Sequence, residues 1–315
     1  MNKVESYFTE SDSVYISDIA DINLFDSAIV LSERERNRVL ILGNELSIDT
    51  IVGRFGDGPN EFSDIGIIAP SDEGIYVHDP GHSVLRLYNQ EFELIRSIRI
   101  NTSGEYIYNL SSFKNKIYYS TSHDTVEAPI VEFDLIDETF RYHGEFLSEI
   151  ENKWQRRIRS EGYIFKVGGS FVQVFPTEPQ IRLLDNNFEL LSVLDLTDLD
   201  LLKNSILRSE DIYLNNNSTI LMLFADVFCL DQSIYLATYQ DFRVDDYNSG
   251  IRFKRLLNKV IRIDYDSIKE EMEIGRIIDL SNGGGWYEQI LPISNERMFA
   301  FDALTNELHE FAFQD

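Results

Sequence analysis

A short strand pattern recurs six times along this chain, and its spacing limits the folds available to it. The copies are Val39-Leu40-Ile41-Leu42, Val84-Leu85-Arg86-Leu87, Ile130-Val131-Glu132-Phe133, Ile181-Arg182-Leu183, Val260-Ile261-Arg262-Ile263 and Leu308-His309-Glu310-Phe311. From Ile41 through Arg86, Glu132, Arg182, Arg262 and Glu310 the steps are 45, 46, 50, 80 and 48 residues. That is the period of a four-stranded propeller blade. It predicts an all-β chain, a six-bladed β-propeller of four-stranded antiparallel blades, forming one domain over residues 1–315.

Each copy is preceded by a second apolar strand: Ala28-Ile29-Val30-Leu31, Ile75-Tyr76-Val77, Ile117-Tyr118-Tyr119, Phe171-Val172-Gln173-Val174, Ile234-Tyr235-Leu236 and Met298-Phe299-Ala300-Phe301. These runs lack alternation, as expected of a mid-blade strand covered on both faces. The repeated strand itself carries a charge at its third position in five copies, which places it nearer the rim. Turn signals such as Asp72-Glu73-Gly74 and Asp185-Asn186-Asn187 separate the strands, and outer strands such as Phe92 to Ile98 follow. The last repeat lacks an outer strand of its own. Val14-Tyr15-Ile16-Ser17 is the expected donor, closing the ring and removing two exposed sheet edges.

Three stretches depart from the repeat. Residues 147–161 read as a short amphipathic helix with Ile150, Trp154 and Ile158 on one face and Arg156, Arg157 and Arg159 as a basic cluster. Asp198 to Leu207 reads as a second helix, followed by a polar Asn215-Asn216-Asn217 loop. Gln240 to Leu257 reads as a long insertion within the fifth blade. The last two account for the step of 80.

Fifty-four acidic against 28 basic residues give a formal charge of -26, a field that repels phosphate backbones and anionic membranes. Nucleic acid is therefore excluded as an expected partner. The same field either keeps the protein soluble or draws in a cationic ligand, a basic peptide or a divalent metal. The one cysteine, Cys229, lies in the apolar run Val227 to Leu230 and reads as a buried small residue. No run is apolar enough to span a membrane or to serve as an export signal. The expectation is a soluble monomer, periplasmic or at the cell surface if a signal has been removed and cytoplasmic otherwise.

The segment Gly53-Arg54-Phe55-Gly56-Asp57-Gly58-Pro59-Asn60-Glu61-Phe62, followed by Gly74 to Asp79 and Val84 to Tyr88, resembles the six-bladed β-propellers common in Bacteroidetes, which are related in architecture to NHL-repeat and TolB-like propellers. Their inter-blade motif has a Gly-Pro-Gly-Glu-Phe core, and Asn60 replaces the second glycine here. The resemblance implies an extracytoplasmic protein. Physically, Gly56 and Gly58 would permit positive φ, Pro59 would stiffen the connection, and Phe62 would anchor the next blade.

Ligands of propellers sit where the loops after the second strands converge. Those loops offer His78, Asp79, His82, His123, Asp124 and Asp302. Their imidazoles and carboxylates suit a polar ligand, a divalent ion or acid/base chemistry, while Asp at a strand end equally suits a turn cap. No nucleophile elbow, zinc-protease helix, Walker loop or zinc-spaced cysteine pair occurs. Gly283-Gly284-Gly285-Trp286-Tyr287 reads as a turn into the last blade. The leading expectation is a binding or scaffold module without a cofactor that engages a peptide, glycan or protein. The competing one is a metal-dependent lyase or lactonase-like enzyme.

Overall fold

The structure, a computed structural model, describes residues 2–7, 16–43, 46–100, 107–122, 125–215, 222–243 and 254–313. It is a six-bladed β-propeller with six four-stranded sheets. Blade one is β2 (Ile19–Phe25), β3 (Ala28–Glu33), β4 (Arg38–Leu42) and β5 (Ile48–Val52). Blade two is β6 (Ile68–Ser71), β7 (Gly74–Asp79), β8 (Val84–Tyr88) and β9 (Leu94–Arg99). Blade three is β10 (Ser111–Phe113), β11 (Lys116–Ser120), β12 (Ile130–Asp134) and β13 (Thr139–His143). Helix α1 (Lys153–Arg159) follows, then blade four with β14 (Tyr163–Val167), β15 (Ser170–Val174), β16 (Gln180–Leu184) and β17 (Leu190–Asp195). Helix α2 (Asp200–Asn215) leads to blade five, which is β18 (Phe224–Leu230), β19 (Ser233–Arg243), β20 (Lys254–Asp266) and β21 (Glu271–Asp279). Blade six is β22 (Tyr287–Pro292), β23 (Arg297–Asp302) and β24 (Glu307–Ala312), completed by β1 (Asn2–Tyr7) in the order β1-β24-β23-β22. The residues group into two compact units, 7–166 and 167–315 with 1–6.

The N-terminal strand thus completes the C-terminal blade, but it is not the segment expected. Ile16 and Ser17 are buried outside any strand, and Val14 and Tyr15 lie outside the described residues. Asn2-Lys3-Val4-Glu5-Ser6-Tyr7 mixes polar and apolar residues, which suits an outermost strand open to solvent; Val4 is exposed.

Burial follows strand position. In blade two every residue of β7 is buried, β8 is buried after its first residue, and β9 alternates. Apolar side chains of successive blades interdigitate: Val30 and Ile41 meet Phe62, Ile68, Val77 and Tyr88, and Leu85 and Leu87 meet Ile117 and Val131. In the other unit Tyr235 and Val260 meet Ile290, Met298 and Phe311.

The repeated strands are third in their blades, nearer the rim than the second strands, yet three of their five charges are covered. Arg86, Glu132 and Glu310 are buried and engaged: Arg86 with Asp79 at 2.9 Å, Glu132 with Lys116 at 2.7 Å, and Glu310 with Arg297 Nε at 2.7 Å. Apolar coverage from neighbouring blades reaches the third strand, so a charge there survives only with a partner.

Polar groups at or beside three inner strands also tie them to the next blade. Asp21 on β2 accepts the Ile68 N–H at 2.7 Å, and Asp226 on β18 accepts that of Ile290 at 2.9 Å. Asn109 both accepts from Ile164 N and donates to Ile164 O, each at 2.9 Å.

Helix α1 is shorter than expected because Asn152 caps it, its Oδ1 accepting the Gln155 N–H at 3.0 Å. Consequently Trp154 is 46% exposed and Gln155 faces inward, so the Ile150, Trp154, Ile158 stripe does not form. Arg156 and Arg157 donate to the carbonyls of Ile150 and Val126 at 2.6 and 3.0 Å. Helix α2 begins two residues later than expected and takes in Asn215; Asn216 and Asn217 lie outside the described residues. The fifth-blade insertion is in part a lengthened hairpin, β19 and β20 running 11 and 13 residues, with 244–253 outside the described residues.

Candidate functional site

His78 and Asp79 end β7 and, as neighbours on one strand, point to opposite sides of the sheet. Asp79 belongs to an ion network. Its Oδ2 meets His82 Nδ1 at 2.6 Å and Arg86 Nη2 at 2.9 Å, and its Oδ1 accepts the N–H groups of Asp64 and His82 at 3.4 and 3.3 Å. Burial alone would raise this carboxyl, yet the hydrogen bonds from His82, Arg86 and Asp64 N hold it below the usual carboxylate range. The second His82 nitrogen, Nε2, meets Asp57 Oδ1 at 3.0 Å. A carboxylate at each nitrogen favours the protonated ring, so the pKa of His82 is raised, chiefly by the Asp79 hydrogen bond.

The Gly53 to Phe62 motif supplies the other side of this network. Arg86 Nη1 donates to Pro59 O at 2.6 Å, and its guanidinium lies 5.4 Å from the centroid of the fully buried Phe62 ring. Glu61 pairs with Arg54 at 2.6 Å and accepts Gly58 N–H at 2.9 Å. The glycines with positive φ are Gly53 (+82°) and Gly56 (+153°), so Gly58 does not serve as expected. A Cβ on Gly53 would fall 2.2 Å from the Phe62 ring, which only glycine avoids. The motif is an anchor for Phe62.

His78 is one of the residues lining a cleft of about 240 Å³, with Arg34, Asp64, Ile65, Gly66, Ile67, Pro80 and Ile107. The residue is only 2% exposed, and its Nε2 has no hydrogen-bond partner. Burial pushes its pKa down to about 4, against a small opposing pull from Asp79, so the ring is uncharged at neutral pH. Arg34 makes one loose ion pair, Nη1 to Asp18 Oδ1 at 3.7 Å. The Asp64 carboxylate pairs with no cation among the described residues.

Of the remaining sequence candidates, His123 and Asp124 lie outside the described residues. Asp302, in the 167–315 unit, is a turn cap: Oδ1 accepts Trp286 and Leu304 N–H at 2.9 and 3.0 Å, and Oδ2 accepts the Thr305 hydroxyl at 3.0 Å. Glu33, Asp79 and Asp302 all end second strands and accept an N–H from the connection entering their own blade, from Ser17, Asp64 and Trp286 respectively. Gly283 to Gly285 lie in and beside a tight turn packed on Tyr287, whose hydroxyl meets His309 Nδ1 at 2.8 Å. Among the described residues no three His, Cys, Asp or Glu side chains gather as metal ligands. Burial raises the Cys229 thiol to about 12, which makes it inert.

The sequence reading missed Arg34 and Asp64. The rule that found His78 reaches Arg34 as well, since Arg34 follows the second strand of blade one as Pro80 follows that of blade two.

Comparisons with known proteins locate the fold. A member of the DUF4221 family from Bacteroides vulgatus superposes with a TM-score of 0.61 at 13% identity, covering 99% of this chain and 98% of that one. An exported protein from Bacteroides fragilis gives 0.57 at 11%, with 99% and 95% covered. The virginiamycin B lyase from Staphylococcus aureus gives 0.51 at 10%, with 98% and 99% covered. They share its fold. No family model matches the chain, and no curated protein does.

Proposed function

We propose that this chain is a non-enzymatic binding propeller, a single domain that receives part of a peptide, glycan or protein partner at the His78 cleft. The observation that carries this is a buried, uncharged imidazole whose Nε2 has no partner at the wall of a cleft. Such a group costs stability and is retained where a ligand satisfies it. Acid/base chemistry fits the same residues less well. A pKa of about 4 leaves His78 a weak base at neutral pH, and both His82 nitrogens already face carboxylates. Placement outside the cytoplasm is favoured by the exported Bacteroides fragilis neighbour and by the motif resemblance to NHL- and TolB-like propellers.

The test uses His78→Leu, which fills similar space without a polar atom. This variant is expected to fold and to gain about 1 kcal/mol in denaturant unfolding, since an unsatisfied buried group is removed. On peptide and glycan arrays the parent chain should retain at least one probe that His78→Leu loses. No retained probe, or equal retention by both proteins, overturns the proposal.

A further inference from the structure

The walls of the cleft narrow the ligand class, on the reading that the cleft is a binding site. At the ~30 Å³ each water occupies in the liquid, a volume of about 240 Å³ holds roughly eight heavy atoms, far fewer than a folded partner or an oligosaccharide presents. The lining contains no aromatic ring of the kind that packs flat against a ligand ring; its apolar residues are Ile65, Ile67, Ile107 and Pro80. Its charges are one of each sign, Arg34 and Asp64. The Arg34 guanidinium has only the loose contact with Asp18, and its planar donors match a carboxylate. The Asp64 side chain is free to accept from an ammonium group. A ligand of net charge zero also avoids the penalty that the charge of -26 imposes on an anion.

We propose that the cleft takes an aliphatic α-amino acid as its zwitterion, the carboxylate on Arg34, the ammonium on Asp64 and the side chain against Pro80 and the edges of Ile67 and Ile107. His78 Nε2 completes the hydrogen bonding of one of the two charged groups. The experiment is isothermal titration of the full chain with L-leucine, N-acetyl-L-leucine, which lacks the ammonium, and L-leucinamide, which lacks the carboxylate. Leucine should bind saturably and each analogue at least ~10-fold more weakly, the loss of one charge-assisted contact. Arg34→Gln should erase the preference over leucinamide and Asp64→Asn that over N-acetyl-leucine, Arg34 being half-buried and Asp64 exposed, with circular dichroism of each variant matching that of the parent. Absence of leucine binding, or analogues that bind as well as leucine, overturns this proposal. If the arrays still show a probe held through His78, the binding reading survives that failure; if they show none, both fall.

Discussion

A chain lacking residues 2–7 melts roughly 5 °C or more below the full chain, taking a net ~0.5–1.5 kcal/mol for each strand hydrogen bond lost and ~1.5 °C for each kcal/mol in a chain of this size. The strand β1 is the fourth member of the last sheet, in the order β1-β24-β23-β22. Its loss bares the N–H and C=O groups along β24. It also removes the contact between Lys3 Nζ and His309 Nε2 at 3.0 Å. His309 is buried between Tyr287 and Glu307, and β24 carries Leu308 and Phe311 into the core. An unpaired edge of this kind also promotes association, so light scattering should show oligomers in the truncated protein. A truncated chain that melts with the full one would mean that β24 needs no cover.

The second large effect is at Arg86. Replacing it with methionine keeps most of the apolar stem but leaves the fully buried Asp79 carboxylate with His82 as its one charged partner, and strips the donor from Pro59 O. Breaking a buried pair from one side costs about 3–5 kcal/mol. The variant Arg86→Met should therefore unfold at markedly lower denaturant, and adding Asp79→Asn should recover much of the loss, because the uncompensated charge goes with it. The pH sign follows from the depressed carboxyl. The stabilisation at Asp79 is complete above its unfolded value near 3.8 and is lost as pH falls through the lower folded value. The gap between parent and Arg86→Met should accordingly close in acid. An unchanged gap down to pH 2, or no rescue by Asp79→Asn, would show that the pair is not what Arg86 supports.

Architecture was legible because it is written in periodic hydrophobicity. The six second strands appear where their unbroken apolar runs stand, since burial on both faces removes any need for polar residues. Two kinds of feature escaped. Val14 to Ser17 carries the stronger apolar strand signal, whereas Asn2–Tyr7, the strand that closes the last blade, has a pattern too polar to signal a strand alone. The burial and partners of the third-strand charges are not legible, because a sequence does not show that Arg86 meets Asp79 seven positions earlier or that Glu132 meets Lys116. The site was half legible. His78 was found from its place at the end of a strand, but the opposite orientations of His78 and Asp79, one to a cleft and one to an ion network, emerge only from the sheet geometry. Arg34 follows a strand of blade one and Asp64 lies in the connection entering blade two, and they line one cleft only in three dimensions.

An uncharged His78 with a buried, unpartnered ring nitrogen beside the cleft is central, and nitrogen-15 spectroscopy of the imidazoles observes it directly, with only five histidines to assign. The predicted result is a ring that stays neutral from pH 8 down to 5, in keeping with its pKa of about 4, and whose Nε2 resonance moves when L-leucine is added. A His78 that titrates near 6.5, or whose Nε2 is unmoved by leucine and by every probe the arrays retain, would contradict it.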